Sequence, residues 1–235
     1  MAKFPRSKRV HKGQQDIISA VIIIVIAIAL VATAYTWGIP LIQKRQDSAV
    51  VDRTFSYFDQ NNINSITSKI VAVATNGGDQ TFTGNVKGGW ILSPCVDTDG
   101  SGSPLAGCVS TYTPENNSLS FAIYSTVSNY AYDVGWITIS SSDKCPPSAG
   151  ITGQNPYVVC VRADRYSSGY NITYKVQFRE LDSDATQGFK ILLQPQISSI
   201  VLSSGNTVRF TRGNVYSVDV GGKTLNIVEV KVLLG

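Results

Sequence analysis

Few side chains in this sequence are equipped for chemistry, and their positions narrow what that chemistry is. The single histidine, His11, lies in the basic N-terminal stretch, so no imidazole is available further along as the base of a Ser-His-Asp or Cys-His arrangement. Four cysteines, Cys95, Cys108, Cys145 and Cys160, have 12 intervening residues in the first pair and 14 in the second, which matches no zinc-ligand pattern. An even number of cysteines suits disulfides in an oxidising compartment. Four cysteines permit three pairings. Pairing Cys95 with Cys108 and Cys145 with Cys160 closes two short loops, one carrying Gly100, Gly102 and Pro104 and the other Pro146, Pro147 and Gly150.

The first of these loops holds the best candidate metal ligands. Asp97, Asp99 and Ser101 place side-chain oxygens at alternate positions ahead of Gly102, in the manner of a calcium loop. The match is partial, because the twelfth position is Cys108 instead of a bidentate Glu, and Asp, Ser and Gly are also ordinary turn formers. A disulfide-closed turn is therefore the favoured reading, and no cofactor is expected. Asn116-Asn117-Ser118 and Asn171-Ile172-Thr173 satisfy the N-x-[ST] acceptor rule, with Asn116 ranked above Asn171 because the latter opens a predicted strand. Carboxylates such as Glu180, Asp182 and Asp184 would suit a glycosidase only if a cleft gathered them, and a Ser-rich acidic turn reads as solvated loop. Tyr112, Tyr124, Tyr130, Tyr132, Tyr166, Tyr170 and Tyr174 read mainly as cross-strand pairs, with a carbohydrate-stacking face as the sharper alternative. No enzymatic activity is expected.

The segment that must position everything else is Ile17 to Ile42, whose 26 residues contain no ionisable side chain except tyrosine. As a continuous helix it would span roughly 39 Å, enough for a hydrocarbon core of about 30 Å. Ten of the residues from Ile17 to Val31 are Val or Ile, which favour strands in water. A lone strand in lipid leaves its backbone polar groups unpaired, so helix is the expected state. Lys3, Arg6, Lys8, Arg9 and Lys12 precede the run, leaving 15 of the 20 basic residues against 16 acidic ones in the rest of the chain. That near neutrality argues against a nucleic-acid partner, and the positive-inside rule puts the N-terminus in the cytoplasm and the remainder outside.

Three fates are open for the junction. Cleavage after Gly13 would make Gln14 the new N-terminus and keep the helix; cleavage at Ala32-Thr33-Ala34 would discard it; no cleavage would leave a plain anchor. The apolar character running past Ala34 through Trp37, Ile39, Leu41 and Ile42 favours the first. Ile63, Ile66, Ile70 and Val73 then mark one face of a further helical stretch, with Gly38 and Pro40 expected to kink or interrupt the helix between the parts.

From Asn76-Gly77-Gly78 the pattern turns to short β-rich runs. The predicted strands are Thr81 to Val86, Trp90 to Ser93, Leu119 to Val127, Trp136 to Ser140, Tyr157 to Arg162, Ile172 to Leu181, Phe189 to Leu193, Thr207 to Thr211, Val215 to Val220 and Leu225 to Leu233. Their alternation implies half-buried antiparallel sheets, with Val220-Gly221-Gly222-Lys223 as a hairpin turn. The expected fold is α+β: a long N-terminal hydrophobic helix followed by a β-sandwich or barrel-like head. Its boundaries are a leader at 1–13, a helical part at 14–75 and a head at 76–235.

The leader ending Lys12-Gly13, followed by Gln14-Gln15-Asp16 and a long Ile/Val/Ala helix, resembles the class III signal peptide of archaeal type IV pilins and archaellins. The resemblance covers residues 3 to about 42; Ile18 stands at the fifth mature position, where bacterial pilins carry Glu. It implies a prepilin-type peptidase acting between Gly13 and Gln14, a single-pass membrane precursor, assembly machinery, and identical subunits as partners in an extracellular filament. The alternative is a membrane-anchored or secreted surface-binding protein, such as an adhesin or surface-layer accessory, that uses its head.

Overall fold

The computed structural model describes residues 12–95, 116–139, 145, 152–182, 186–197, 202–220 and 222–235. Two helices lead: α1 (Lys12–Phe58) and α2 (Ile66–Asn76). Among the described residues twelve strands follow, β1 (Asp79–Thr83), β2 (Gly89–Ser93), β3 (Ser118–Ser125), β4 (Ile137–Thr138), β5 (Thr152–Gly153), β6 (Tyr157–Tyr166), β7 (Gly169–Phe178), β8 (Glu180–Asp182), β9 (Gln187–Pro195), β10 (Leu202–Ser203), β11 (Thr207–Val220) and β12 (Lys223–Leu234). The α+β expectation holds, and of the two proposed head shapes the chain adopts the sandwich, with sheets ordered β1-β11-β12-β9-β8-β5 and β10-β2-β3-β7-β6-β4.

The chain divides into compact units at residues 1–46 and 47–235, so the last turns of α1 belong with the head, not with the apolar run. Pro40 lies inside α1 and does not end it, so of the two expected effects, a kink or an interruption, the interruption does not occur. A proline costs a helix interior about 3 kcal/mol. An uncapped break would strand several more backbone groups, a larger penalty in a segment with this apolar composition. The break comes instead at residues 59–65, where side chains compete for the backbone: Asn61 N donates to Asp59 Oδ1 (3.0 Å), Asn64 N to Asn62 Oδ1 (3.0 Å), and Asn62 Nδ2 to Ser56 O (3.0 Å). Ser65 then caps α2 by accepting from Ser68 N (3.2 Å). Ile63 therefore falls outside the helix and is 83% exposed, whereas Ile66, Ile70 and Val73 are fully buried as their spacing requires.

One core joins the inward faces of both sheets to the helices within the head. Phe58 stacks on Tyr174 of β7 (5.6 Å between centroids, 12° apart) and also meets Trp90. Tyr57 abuts Phe82 and Phe121, and its hydroxyl donates to Asn85 Oδ1 (2.7 Å). The Tyr174 hydroxyl donates to Val51 O (3.1 Å), fastening the end of α1 to the second sheet.

At the β3 end the sheets are tied by one side chain. Asn117, buried and left-handed at φ 60°, donates from Nδ2 to Phe178 O (3.1 Å) and Ile191 O (2.8 Å) and accepts from Leu193 N (2.8 Å). Phe178 closes β7 in one sheet, while Ile191 and Leu193 belong to β9 in the other. Asparagine is among the few residues that tolerate this backbone region.

Three features depart from the expected strands. The run from Ile172 to Leu181 splits into β7 and β8 because the chain changes sheets at Arg179, whose Nε donates to Asn155 O (3.0 Å). Gly153 permits that crossing, since a Cβ there would lie 2.2 Å from Arg179 Cζ. Thr207 to Thr211 and Val215 to Val220 merge into β11 through a bulge between Arg212 and Val215. Glu229 fills the bulge, accepting from Asn214 N (3.4 Å) and the Tyr216 hydroxyl (3.2 Å). Finally, β12 pairs with β9 in parallel, as do β5 and β8, against the expected all-antiparallel pairing. The chain after β9 visits the other sheet as β10 and returns through β11, a crossover long enough for parallel neighbours. The Val220–Lys223 hairpin forms as predicted, with Gly222 at φ 83°.

Replacing Asn117 by Ala should destabilise the head by about 2–4 kcal/mol, because two carbonyls and one amide lose their buried partner. Asn117→Gly, which keeps the left-handed backbone, should recover only a minor part of that loss in urea denaturation.

Candidate functional site

The feature with the least internal explanation is the surface of α1 between Ile17 and Ile42. Its large apolar side chains are exposed on every face, from 42% for Ile39 to 79% for Trp37. No part of its most apolar window is buried. Its two threonines are self-satisfied: Thr33 Oγ1 donates to Ala29 O (2.8 Å), and Thr36 Oγ1 to Ala32 O (3.1 Å). Such back-bonding lets threonine sit in an apolar medium without an orphaned hydroxyl. Trp37 follows Ile17 by about 30 Å of helix rise, so an aromatic side chain falls where a hydrocarbon layer would end. Lys44 and Arg45 come just after. The surface is built to be solvated by apolar groups, whether lipid or other helices; it is compatible with a membrane anchor or a signal sequence. Gly13 and Gln14 lie in the first turn of α1.

On the head, Cys145 and Cys160 are disulfide-bonded, as expected (Cα to Cα 6.0 Å). Cys160 lies on β6 and Thr138 Oγ1 contacts Cys145 Sγ at 3.3 Å. Cys95 is also in a disulfide; Cys108, its expected partner, lies outside the described residues, as do Asp97, Asp99, Ser101 and Tyr112. Beside Cys160, Trp136 is flanked by two cations, Lys175 Nζ at 4.5 Å and Arg162 Cζ at 5.0 Å from the ring centre.

The two acceptor asparagines are placed unequally. Asn171 is exposed on β7, while Asn116 is half-buried and its Ser118 fully buried and paired with Gln177. Accessibility in the folded head thus favours Asn171, the reverse of the order read from sequence. Glu180 is tied to Lys223 (2.7 Å), and Asp184 is outside the described residues.

Sequence reasoning weighed the tyrosines as a set, and the structure divides them. Tyr130 and Tyr174 meet edge-on in the core (6.0 Å). Tyr124 with Tyr166 (6.5 Å) and Tyr132 with Tyr170 (5.3 Å) form a largely exposed patch around the β6–β7 hairpin. The signal for that patch was the density of Tyr, Ser and Gly at residues 166–170. Burial pushes Tyr130, Tyr157 and Tyr174 above the ordinary phenol value. Burial, then the charge of Glu229, raises Tyr216 to about 12. Burial lowers Lys190, with Glu180 opposing the shift.

No protein-family model, curated protein or solved structure matches this chain.

Removing the Cys145–Cys160 link, whose sequence separation is 15, should cost the head about 3 kcal/mol in the chain-entropy account. Non-reducing peptide mapping should recover that link intact, and the Cys145→Ser variant should melt at lower temperature. A second expectation concerns alkaline pH. The raised tyrosines keep their protons in the folded head after the unfolded chain has lost them near pH 10, so their stabilisation is present below pH 10 and declines above it. Lys190 has the opposite sign and acts below its ordinary value of 10.5, where the unfolded chain still holds a proton that the folded head has released. Urea midpoints should therefore be level through neutral pH and fall above about pH 10.5, where the tyrosine effect stands alone.

Proposed function

We propose that this protein is the structural subunit of an extracellular filament of the type IV pilus or archaellum kind, polymerising through its N-terminal helix. The observation that carries the reading is the uncovered apolar surface from Ile17 to Ile42, continuous in one helix with residues that enter the core of a β-sandwich head. The resemblance of residues 3 to about 42 to class III signal peptides supports it.

In the precursor, lipid solvates this helix; in the filament, identical helices replace lipid. Close approach is then favoured by small residues such as Ala27, Ala29, Ala32 and Ala34, through van der Waals packing and not through a hydrophobic driving force, which lipid has already satisfied. The head faces the medium, and the role is mechanical. Cleavage after Gly13 licenses the transfer. While Lys3, Arg6, Lys8, Arg9 and Lys12 remain attached, withdrawing the helix would draw them through hydrocarbon at about 2.5–3.5 kcal/mol for each at mid-depth.

Replacing Gly13 with Phe should block processing and leave full-length chain in the membrane without filaments, while changing Ala34 should leave processing intact. N-terminal sequencing of the mature protein together with electron microscopy of surface preparations checks this. A mature start at Gln14 in filaments is the expected result; a start at Tyr35, with the helix discarded, would end the polymerisation mechanism and leave a secreted surface-binding protein.

A further inference from the structure

The β6–β7 hairpin, Tyr166 to Gly169, forms one wall of a cavity of about 260 Å³ lined by Thr126, Arg165, Ser167, Ser168, Gly169 and Tyr170. Arg165 is exposed and pairs with no carboxylate among the described residues; its guanidinium instead lies over the Tyr132 ring (4.6 Å), which holds it in place. The acids nearby are already engaged. Asp47 accepts from both the amide and the hydroxyl of Thr126, Asp133 accepts the Arg165 amide (3.1 Å), and Asp164 pairs with Arg162 (2.8 Å). The cavity therefore presents one uncommitted cation together with serine hydroxyls, the donor set that suits a phosphate group.

Its position on the chain says where such a phosphate would come from. Thr126 is bonded to Asp47, the residue at which the chain enters the head, and Asp47 stands five residues after Ile42. Five residues reach at most about 18 Å, which bounds the covalent tether between the apolar segment and the start of the head. Around the cavity, Tyr124, Tyr132 and Tyr166 are 50%, 42% and 67% exposed. Tyrosine is the residue type enriched where an apolar layer meets water, because one end of the ring is apolar and the other hydrogen-bonds. The hairpin is also held tightly: a Cβ on Gly169 would lie 2.5 Å from Ser125 O, Ser167 sits at φ 53°, and the Tyr124 hydroxyl contacts Ser168 Oγ at 3.2 Å.

We propose that this cavity binds the phosphate of an anionic lipid headgroup while the helix is in the membrane, with Arg165 as the charged ligand, Ser167 and Ser168 as hydroxyl donors, and the exposed tyrosines seated in the headgroup layer. The inference rests on the membrane-resident stage of the function proposed above. It gives the head a docked position before assembly that must be released when the subunit leaves the bilayer.

The test uses the full chain in nanodiscs of phosphatidylglycerol or of phosphatidylcholine, read by hydrogen exchange at residues 166–170. Exchange of the Ser167 and Ser168 amides should be about fivefold slower in phosphatidylglycerol, the ratio expected at four-fifths occupancy. Arg165→Gln should abolish the difference, whereas Lys231→Gln, at an exposed cation on β12, should preserve it. Equal exchange in the two lipids, or an unchanged difference in Arg165→Gln, would overturn the proposal. So would the same slowing by millimolar inorganic phosphate in phosphatidylcholine discs, since the site would then be one for free anions. A chain that does not enter the discs would overturn the membrane stage itself and the lipid occupant with it. Entry without protection would overturn the cavity's role alone.

Discussion

Water is not a tolerable neighbour for the residues between Ile17 and Ile42, and this constraint governs the rest of the molecule. Sixteen large apolar side chains in that segment are substantially exposed. At about 1.5–3 kcal/mol for burying each, leaving them in water would forgo about 20 kcal/mol or more, beyond the 5–15 kcal/mol that typically holds a folded domain together. An apolar medium must therefore surround the segment. In such a medium the backbone has to be satisfied internally, which is why a run of Val and Ile with strong strand preference is helical and why Pro40 does not end it.

The head solves a different problem, that of joining a helix end to two sheets in one core. Phe58, Tyr57 and Val51 bring the last turns of α1 into that core, and α2 adds Ile66, Ile70 and Val73. Where helical side chains do not reach, Asn117 ties the sheets by hydrogen bonds, with a polar side chain fully supplied with partners. Glu229 follows the same rule at the bulge, where a buried carboxylate meets an amide displaced from regular pairing and the Tyr216 hydroxyl. Both residues are polar because backbone irregularities leave groups that an apolar side chain could not satisfy.

Features decided locally were legible in the sequence. The apolar helix followed from composition, most of the strands from alternation and turn residues, and the Cys145–Cys160 loop from short spacing. Features decided by distant partners were not. Nothing near β9 or β12 announces that they lie in parallel, since that depends on where the chain goes between them. Asn117 reads only as the middle residue of the Asn116-Asn117-Ser118 acceptor motif, because its partners are 61 to 76 residues away. Ile63 continued a helical period that hydrogen bonds accepted by the Asp59 and Asn62 side chains had already ended. Gly213-Asn214 read as a break between strands, where a bulge kept one strand continuous. The tyrosine and arginine patch was spread over Tyr124, Tyr132 and residues 165–170, and only the pairing of β3, β7 and β6 brings it together.

The place of β12 bears on the order in which the head can fold. It lies between β11 and β9, yet every other strand precedes it, and β1 waits for β11 across more than a hundred residues. A chain synthesised from its N-terminal end therefore delivers the middle of this sheet last. Until residues 223–234 arrive, β9 and β11 have no shared neighbour, and the apolar faces of both sheets stay unfinished. With pairings this non-local, folding is expected to be slow and to wait on delivery. A translating ribosome that stalls before β12 would thus yield a chain whose apolar helix is complete but whose head cannot close, leaving quality-control proteases an open substrate.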